Sequence, residues 1–528
     1  MYYRYIVATT LGIFCGTLVA FTCDFSSEIF LVSLFLFLIN LVVFKFKNIS
    51  YTQNSRGFSL ALSIFFFAVS LGILLGQISL YKDLVKSERF SHYISNKKAF
   101  VGTIYEVKQK SNSQEIFLNV KSETEDGFNI KIIASNIPVH NFGETISVDG
   151  KISTSSIIMP SLQTNNKSID SQYSNKLNNI DGEMAFPKIS TLDKAENNVF
   201  DEYVAMIKNS KRQFSSSLEK GSSIHGAALG SGTLVGDASL FNKEEMSNFR
   251  ISGLSHIIVV SGFNVTIIIL LLIYLFSFLN IKLGFRIPIL IFSILLFMGF
   301  IGFGSSVIRS GFMAIVLLVS YLYGRGYAAK QTLFLVALFM IILNPRISAY
   351  DISFHLSFLA TFGILFVFSV LRSLLKINLN KFTDKYLDKE KNKDHFFKKI
   401  FYYIYEIFLV TLSIQITTLP YLGFAFGYFS FFGIFANILI LPILPLIMLL
   451  GFLTFLFSFS FLLSSIFGFF LSIFSEYAFF IAKFFSEFSF SKLEINFSFL
   501  FLVGYYLCLI LFLIFEIKRK EIKKYLDK

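Results

Sequence analysis

The chain has 528 residues, 54% hydrophobic and only 15% charged, with 47 Lys and Arg against 34 Asp and Glu for a net charge of +13. Soluble domains carry about 25% charged residues, so this composition excludes a single water-soluble globule, excludes disorder, and calls for a polytopic membrane protein. The positive charge fits either a nucleic-acid partner or the Lys/Arg bias of cytoplasmic loops. Cys15, Cys23 and Cys508 lie in or beside apolar segments and supply neither a disulfide framework nor zinc spacing.

A helix needs roughly 20 apolar residues to cross the hydrocarbon core. In chain order the candidates are Tyr5–Cys23, Ile29–Phe44, Phe58–Leu80, Ile257–Ile281, Ile287–Ile308, Ser310–Gly324, Gln331–Pro345 and Ile352–Leu371. The 69 residues Ile407–Ser475 contain no Asp, Glu, Lys, Arg or His, room for about three spans. Ile495–Phe515 is the last candidate, for about twelve in all, some of them re-entrant. Charge orients them. Lys45, Lys47 and Arg56, the loop 372–399 with nine Lys/Arg to four Asp/Glu, and the tail after Ile517 all read as cytoplasmic. Both termini then lie in the cytoplasm, the protein is multi-pass in the cell membrane, and region 81–254 is extracytoplasmic.

That region alternates in the strand manner over Ala99–Lys108, Gln114–Lys121, Phe128–Ser135 and Glu144–Ile152, with Asp126-Gly127 as a hairpin turn. Four or five short strands predict a small β-barrel. Residues 153–195 read as a Ser/Asn/Lys-rich linker, and residues 196–220 as an amphipathic helix lying on the membrane surface. The resulting division is 1–80 for the first transmembrane helices, 81–155 for the β domain, 156–223 for linker and amphipathic helix, 224–516 for the main membrane domain and 517–528 for a basic tail. The outer region 81–254 holds 20 Lys/Arg and 20 Asp/Glu, so it is electrically neutral. Only weak, local DNA binding is expected there, at Lys97, Lys98, Lys108 and Lys110.

Gly230–Val265 reads GSGTLVGDASLFNKEEMSNFRISGLSHIIVVSGFNV. Ser305–Ala314 (SSVIRSGFMA), Asn344–Leu365 (NPRISAYDISFHLSFLATFGIL) and Thr418–Pro442, with Leu419-Pro420 and Ala436-Asn437, follow in order. These four segments resemble the ComEC/Rec2 family of competence proteins, over about residues 1–515. The resemblance implies an OB-like outer domain and a channel that passes single-stranded transforming DNA. It implies DNA, membrane lipid, an extracytoplasmic DNA receptor, a cytoplasmic ATPase or helicase, and further copies of the chain as partners. Many members end in a metallo-β-lactamase-like domain bearing His-x-His-x-Asp-His. The six histidines here form no such cluster, so nuclease activity is not carried over, and a separate nuclease would have to supply it. No enzyme activity, cofactor or metal is expected.

Candidate path residues follow from the cost of polar groups in lipid. Arg309 sits between apolar stretches, where an ionised side chain faces a partner or a wet cavity; the alternative is an interfacial Arg on a phospholipid or helix end. Ser255, His256, Ser261, Gly262 and Asn264 suggest a discontinuous helix, with helix–helix glue as the alternative. Asp351 and His355 are four apart, read as a structural pair at a helix start rather than half a metal site. Asp237 reads as a cap or turn residue that, by resemblance, shapes the channel mouth, and Arg250 belongs to the Phe-Arg element. Pro420, Pro442 and Pro445 mark half-helices or kinks, with Asn437 able to satisfy freed backbone. The rival readings are a secondary transporter for a small solute, or a receptor or scaffold using the outer β domain.

Overall fold

The computed structural model describes residues 2–22, 53–95, 99–109, 113–120, 128–135, 144–150, 152–154, 180–191, 199–258, 260–278, 282–375, 393–488, 492–495 and 497–526. The candidate span Ile29–Phe44, the Asp126-Gly127 turn, and Lys97, Lys98 and Lys110 lie outside these residues. The chain divides into two compact units, Met1–Arg212 with Gly326–Phe354, and Gln213–Arg325 with His355–Lys528.

The first unit opens with α1 (Tyr2–Thr22) and α2 (Gln53–Ser95). Two Gly-x-x-x-Gly pairs, Gly12/Gly16 and Gly72/Gly76, bring these helices together. A Cβ on Gly12 would strike the Phe65 carbonyl, and one on Gly72 the Ile13 carbonyl. In lipid, such close backbone packing drives helix association because burial of apolar surface cannot. α2 is 43 residues long and continues past its apolar stretch Ile64–Asp83. Its polar end anchors a sheet. Phe90 is 1% exposed and packs on Phe128, and Lys86 pairs at 2.8 Å with Asp181, which also accepts the Asn129 N–H. Burial pushes the Asp181 carboxyl upward, while the Lys86 and Asn129 hydrogen bonds pull it back.

The sheet comprises β1 (Ala99–Gln109), β2 (Ser113–Val120), β3 (Phe128–Ser135), β4 (Thr145–Asp149), β5 (Ser153–Thr154), β6 (Gly182–Ala185) and β7 (Lys188–Thr191). Its order is β5-β6-β3-β2-β1-β4-β7. All neighbours are antiparallel except β3 and β6, which run parallel. Phe128, Ile130, Ile132 and Ala134 point inward in turn along β3, the alternation expected of a strand with one buried face. One expectation needs correction. The segment read as linker contributes β5, β6 and β7, so the β structure runs to Thr191 and not to 155. β6 reads only GEMA and pairs with a strand some fifty positions earlier, so local periodicity had no purchase on it.

Next come α3 (Val199–Gly221), the expected amphipathic helix, and α4 (Ile224–Val235). Every residue of α4 from Gly226 to Val235 is buried, so the polar region expected up to residue 254 contains an apolar core helix, too short to cross a bilayer. α5 (Lys243–Ile251) starts with a capping box between Asn242 and Glu245. Then follow α6 (Ser255–Ile258), α7 (Gly262–Phe278), α8 (Leu283–Ile301) and α9 (Ser305–Leu322). α10 (Ala329–Leu343) and α11 (Ile347–Tyr350) return to the first unit. There the Thr10 hydroxyl donates to the Phe334 carbonyl, Phe21 meets Tyr350 edge-on, and Arg346 pairs with Asp83.

α12 (Ile352–Phe362) runs through a π-helical turn, Gly363–Val367, into α13 (Phe368–Leu374). α14 (Lys393–Phe426) carries Pro420 inside it. β8 (Tyr428–Ser430), α15 (Gly433–Ile440), α16 (Leu444–Leu456), α17 (Phe461–Ser486), β9 (Lys492–Glu494) and α18 (Phe499–Leu526) complete the chain, with β8 and β9 paired antiparallel. α17 binds the start of the second unit along one face. Gly468 lies against the Gly221 backbone with no room for a Cβ, the Ser472 hydroxyl accepts the Ser223 N–H at 2.8 Å, and the Ser486 hydroxyl donates to Asn248.

Among the described residues, seven helices are long and apolar enough to cross a membrane, or eight with the bent pair α15–α16, whose halves meet at 49°. Tyr5–Phe21, Gly262–Phe278 and Ala329–Leu343 are apolar but shorter. The protein is a multi-pass helical membrane protein; twelve full-length spans are not what the described residues provide. The span expected at Ile257–Ile281 is shortened by the break before Gly262, and Asn344-Pro345 ends α10 after 15 residues.

Candidate functional site

The polar stretch 255–264 interrupts its span as its composition suggests. α6 stops at Ile258, and α7 starts at Gly262. The Ser261 hydroxyl lies 3.2 Å from Asn264 Oδ1. Asn264 is fully buried, and its Nδ2 donates at 3.1 Å to the Thr233 carbonyl in the last turn of α4. That carbonyl has no helical donor of its own, so the side chain starting one helix satisfies the end of another. Gly232 leaves no room for a Cβ against the Ile258 carbonyl, so α4 supports the break from beneath. α4 ends at Gly236 with φ 72°, a left-handed turn that glycine adopts without strain. Asp237 follows, accepting from the Ser215 hydroxyl at 2.7 Å and the Ser239 N–H at 3.1 Å. It is a turn residue that fastens the end of α3 to the end of α4.

Arg309 lies in the second turn of α9 and points into the second unit. Its Nε donates to the Ser357 hydroxyl of α12 at 2.7 Å, and one guanidinium nitrogen occupies the space where a Cβ on Gly262 would stand. The residue chosen for its charge and the glycine chosen for its position thus meet at the mouth of the break. Asp351 caps α12, its Oδ1 accepting the Phe354 N–H at 3.0 Å. His355, one turn further on, places Nδ1 2.8 Å from the Tyr421 hydroxyl.

Tyr421 follows Pro420, which cannot supply an N–H to the Ile416 carbonyl one turn back. The Tyr505 hydroxyl donates to that carbonyl at 2.8 Å, and the Tyr506 hydroxyl to the adjacent Thr417 carbonyl at 2.7 Å. Tyr505 of α18 therefore supplies the donor that the proline cannot, and Tyr506 adds a second bond beside it.

The remaining candidates are placed less closely. Ser255 and His256 are exposed on α6, and the His256 ring hydrogen-bonds the Gly253 backbone. Arg250 is exposed on α5. Asn437 is on α15, its Oδ1 buried without a hydrogen-bond partner. Lys108 lies within β1. Ser357, Thr233 and Tyr421 were not singled out from sequence. The only signal they carry there is a polar group within an apolar run, which many Ser, Thr and Tyr of this chain share. Among the described residues no group of three or more His, Cys, Asp or Glu is arranged to hold a metal ion.

A family model described as Competence protein matches residues 233–520, which includes the break, α9, α12 and the Pro420 region. No curated protein and no solved structure matches the chain. The match covers more than half of the chain and contains all four motif segments within it but for the first three residues of the earliest, so the protein belongs to the competence protein family of the ComEC/Rec2 type.

Proposed function

We propose that this protein is the membrane channel through which one strand of transforming DNA enters the cytoplasm during natural competence. Family membership over residues 233–520 carries the reading. The polar break supports it. A strand crossing a bilayer needs a cation for its phosphates and a water-lined route. Arg309 is turned toward Gly262 and Ser357, where a lipid-facing or headgroup-bound Arg would point away from the helices. His256 is exposed on α6, six residues before Gly262. Irregular backbone at membrane depth is tolerated where it lines a cavity or is buried in protein.

In this reading the channel breaks no bond. A cytoplasmic ATPase or helicase pulls the strand, a separate nuclease removes its complement, and an extracytoplasmic receptor delivers the duplex. The chain sits in the cytoplasmic membrane with both termini inside. The β1–β2–β3 meander, with β4 beside β1 and β6 parallel to β3, supports an OB-like reading of the outer sheet. A clean deletion tests the function. Fluorescent DNA should bind the deletion strain's surface but not reach its cytoplasm, and restoration of the gene should restore entry. Normal transformation of the deletion strain would end the proposal.

A further inference from the structure

A second polar cluster lies in the second unit. His225 occupies the first turn of α4, and its ring stacks on Phe479 of α17 with centroids 4.1 Å apart and planes 25° apart. The stack fixes the ring plane and therefore the direction of both nitrogens. Nδ1 meets Glu476 Oε1 of α17 at 2.8 Å, and Nε2 meets Glu245 Oε1 of α5 at 3.1 Å. The Ser223 hydroxyl, which caps α4, lies 3.5 Å from the same Glu476 oxygen. The other oxygen of Glu245 accepts the Asn242 N–H. The remaining ionisable groups of the surrounding segments are Glu219 and Lys220 in the last turn of α3, Lys243, Glu244 and Arg250 on α5, His256 on α6, and Tyr477 and Lys483 on α17. α16 has none. The two whose atoms meet the ring are Glu245 and Glu476.

A neutral imidazole has one N–H and one lone pair, whereas an ionised carboxylate only accepts. Two carboxylates on the two ring nitrogens can both be hydrogen-bonded only when both nitrogens carry protons. We propose that His225 is a proton-operated latch. As imidazolium it fastens α5 and α17 to the first turn of α4; on losing a proton it keeps one carboxylate and releases the other. The sign follows from the donor count. The latch is closed at low pH and opens as pH rises. Its lever is α4, whose other end holds the α6–α7 break through the Thr233–Asn264 hydrogen bond. The latch stands on this geometry and not on the DNA-channel reading, and its test uses no DNA.

The test is hydrogen exchange on the full chain in lipid nanodiscs, comparing protection of the α5 backbone amides at pH 6 and pH 8 after correction for the intrinsic rate. In the wild type, α5 should be about three- to tenfold more protected at the lower pH. His225→Gln presents an amide NH2 and an amide oxygen and cannot titrate, so its protection should be the same at both. Glu476→Gln changes a half-exposed side chain, and its amide N–H can donate to Nδ1 of a neutral ring, so this variant should stay protected at both pH values. Equal wild-type protection at the two pH values would overturn the latch. So would a His225→Gln protein that keeps the wild-type difference, or a Glu476→Gln protein that is unprotected at both.

Discussion

Arg309 stands where a cation gains nothing from its own helix, since the N-terminal turns of α9 carry the positive end of the helix dipole. What holds it there is the Ser357 hydroxyl and the space left by Gly262. Arg309→Ala should lower DNA entry on the order of tenfold, as expected for loss of a phosphate-binding cation, with the membrane level of the protein unchanged. Arg309→Lys should recover only part of it, because an ammonium cannot reproduce the Nε bond and the planar fork together. Uptake at the wild-type rate in Arg309→Ala would take this residue off the path. Glycines separate fold from site in a second comparison. A Cβ at Gly262 meets the far end of a flexible side chain, so Gly262→Ala should fold normally yet displace the guanidinium and slow uptake. A Cβ at Gly468 meets the Gly221 backbone, which cannot step aside. Gly468→Ala should therefore destabilise the protein by about 1–3 kcal/mol, read as a lower thermal midpoint in nanodiscs.

Elements here are completed by other elements. α4 is apolar and buried from Gly226 to Val235 yet only 12 residues long, so it serves as a post against which the broken α6–α7 segment is set. Asn264→Ala would leave the Thr233 carbonyl unpaired in the interior, a loss of about 1–3 kcal/mol. The expected readout is a lower unfolding midpoint, and an unchanged midpoint would mean that the bond does not support the break. The Pro420 region allows a cleaner separation. Tyr505→Phe removes the donor to the Ile416 carbonyl and should cost about 1 kcal/mol. In a Pro420→Ala background the restored helical N–H takes that role, so the same substitution should cost almost nothing. A double-mutant cycle on thermal stability reads the difference directly, and two equal costs would refute the repair role of Tyr505.

At the scale of the molecule, charge decides orientation and contacts decide assembly. The loop 372–399 carries five net positive charges and the region 81–254 none, so the first should be cytoplasmic and the sheet outside. A membrane-impermeant maleimide should label Val101→Cys, at an exposed β1 position, in intact cells. It should reach Lys389→Cys only after permeabilisation, and the opposite pattern would invert the topology. Much of this was legible in the chain itself. Apolar runs marked most of the long helices though not a count of twelve spans, and alternation placed β1–β4 within a few residues. The polar group Ser255 to Asn264 suggested a broken helix, with helix–helix glue as the alternative, and four ordered motifs named the family. These are local properties, because a helix or strand writes its period and its apolar face into consecutive residues. What the sequence left open was which partner covers each face. Nothing local says that Gly12 lies against Phe65 and Gly72 against Ile13, or that β6 lies parallel to β3. Nor does it say that residues 326–354 return to the first unit, or that Arg309 is held by Ser357 and His225 between Glu245 and Glu476. Those pairings join positions tens to hundreds of residues apart. They are fixed by close packing and by the need to satisfy each buried polar group, conditions that only the assembled structure can meet.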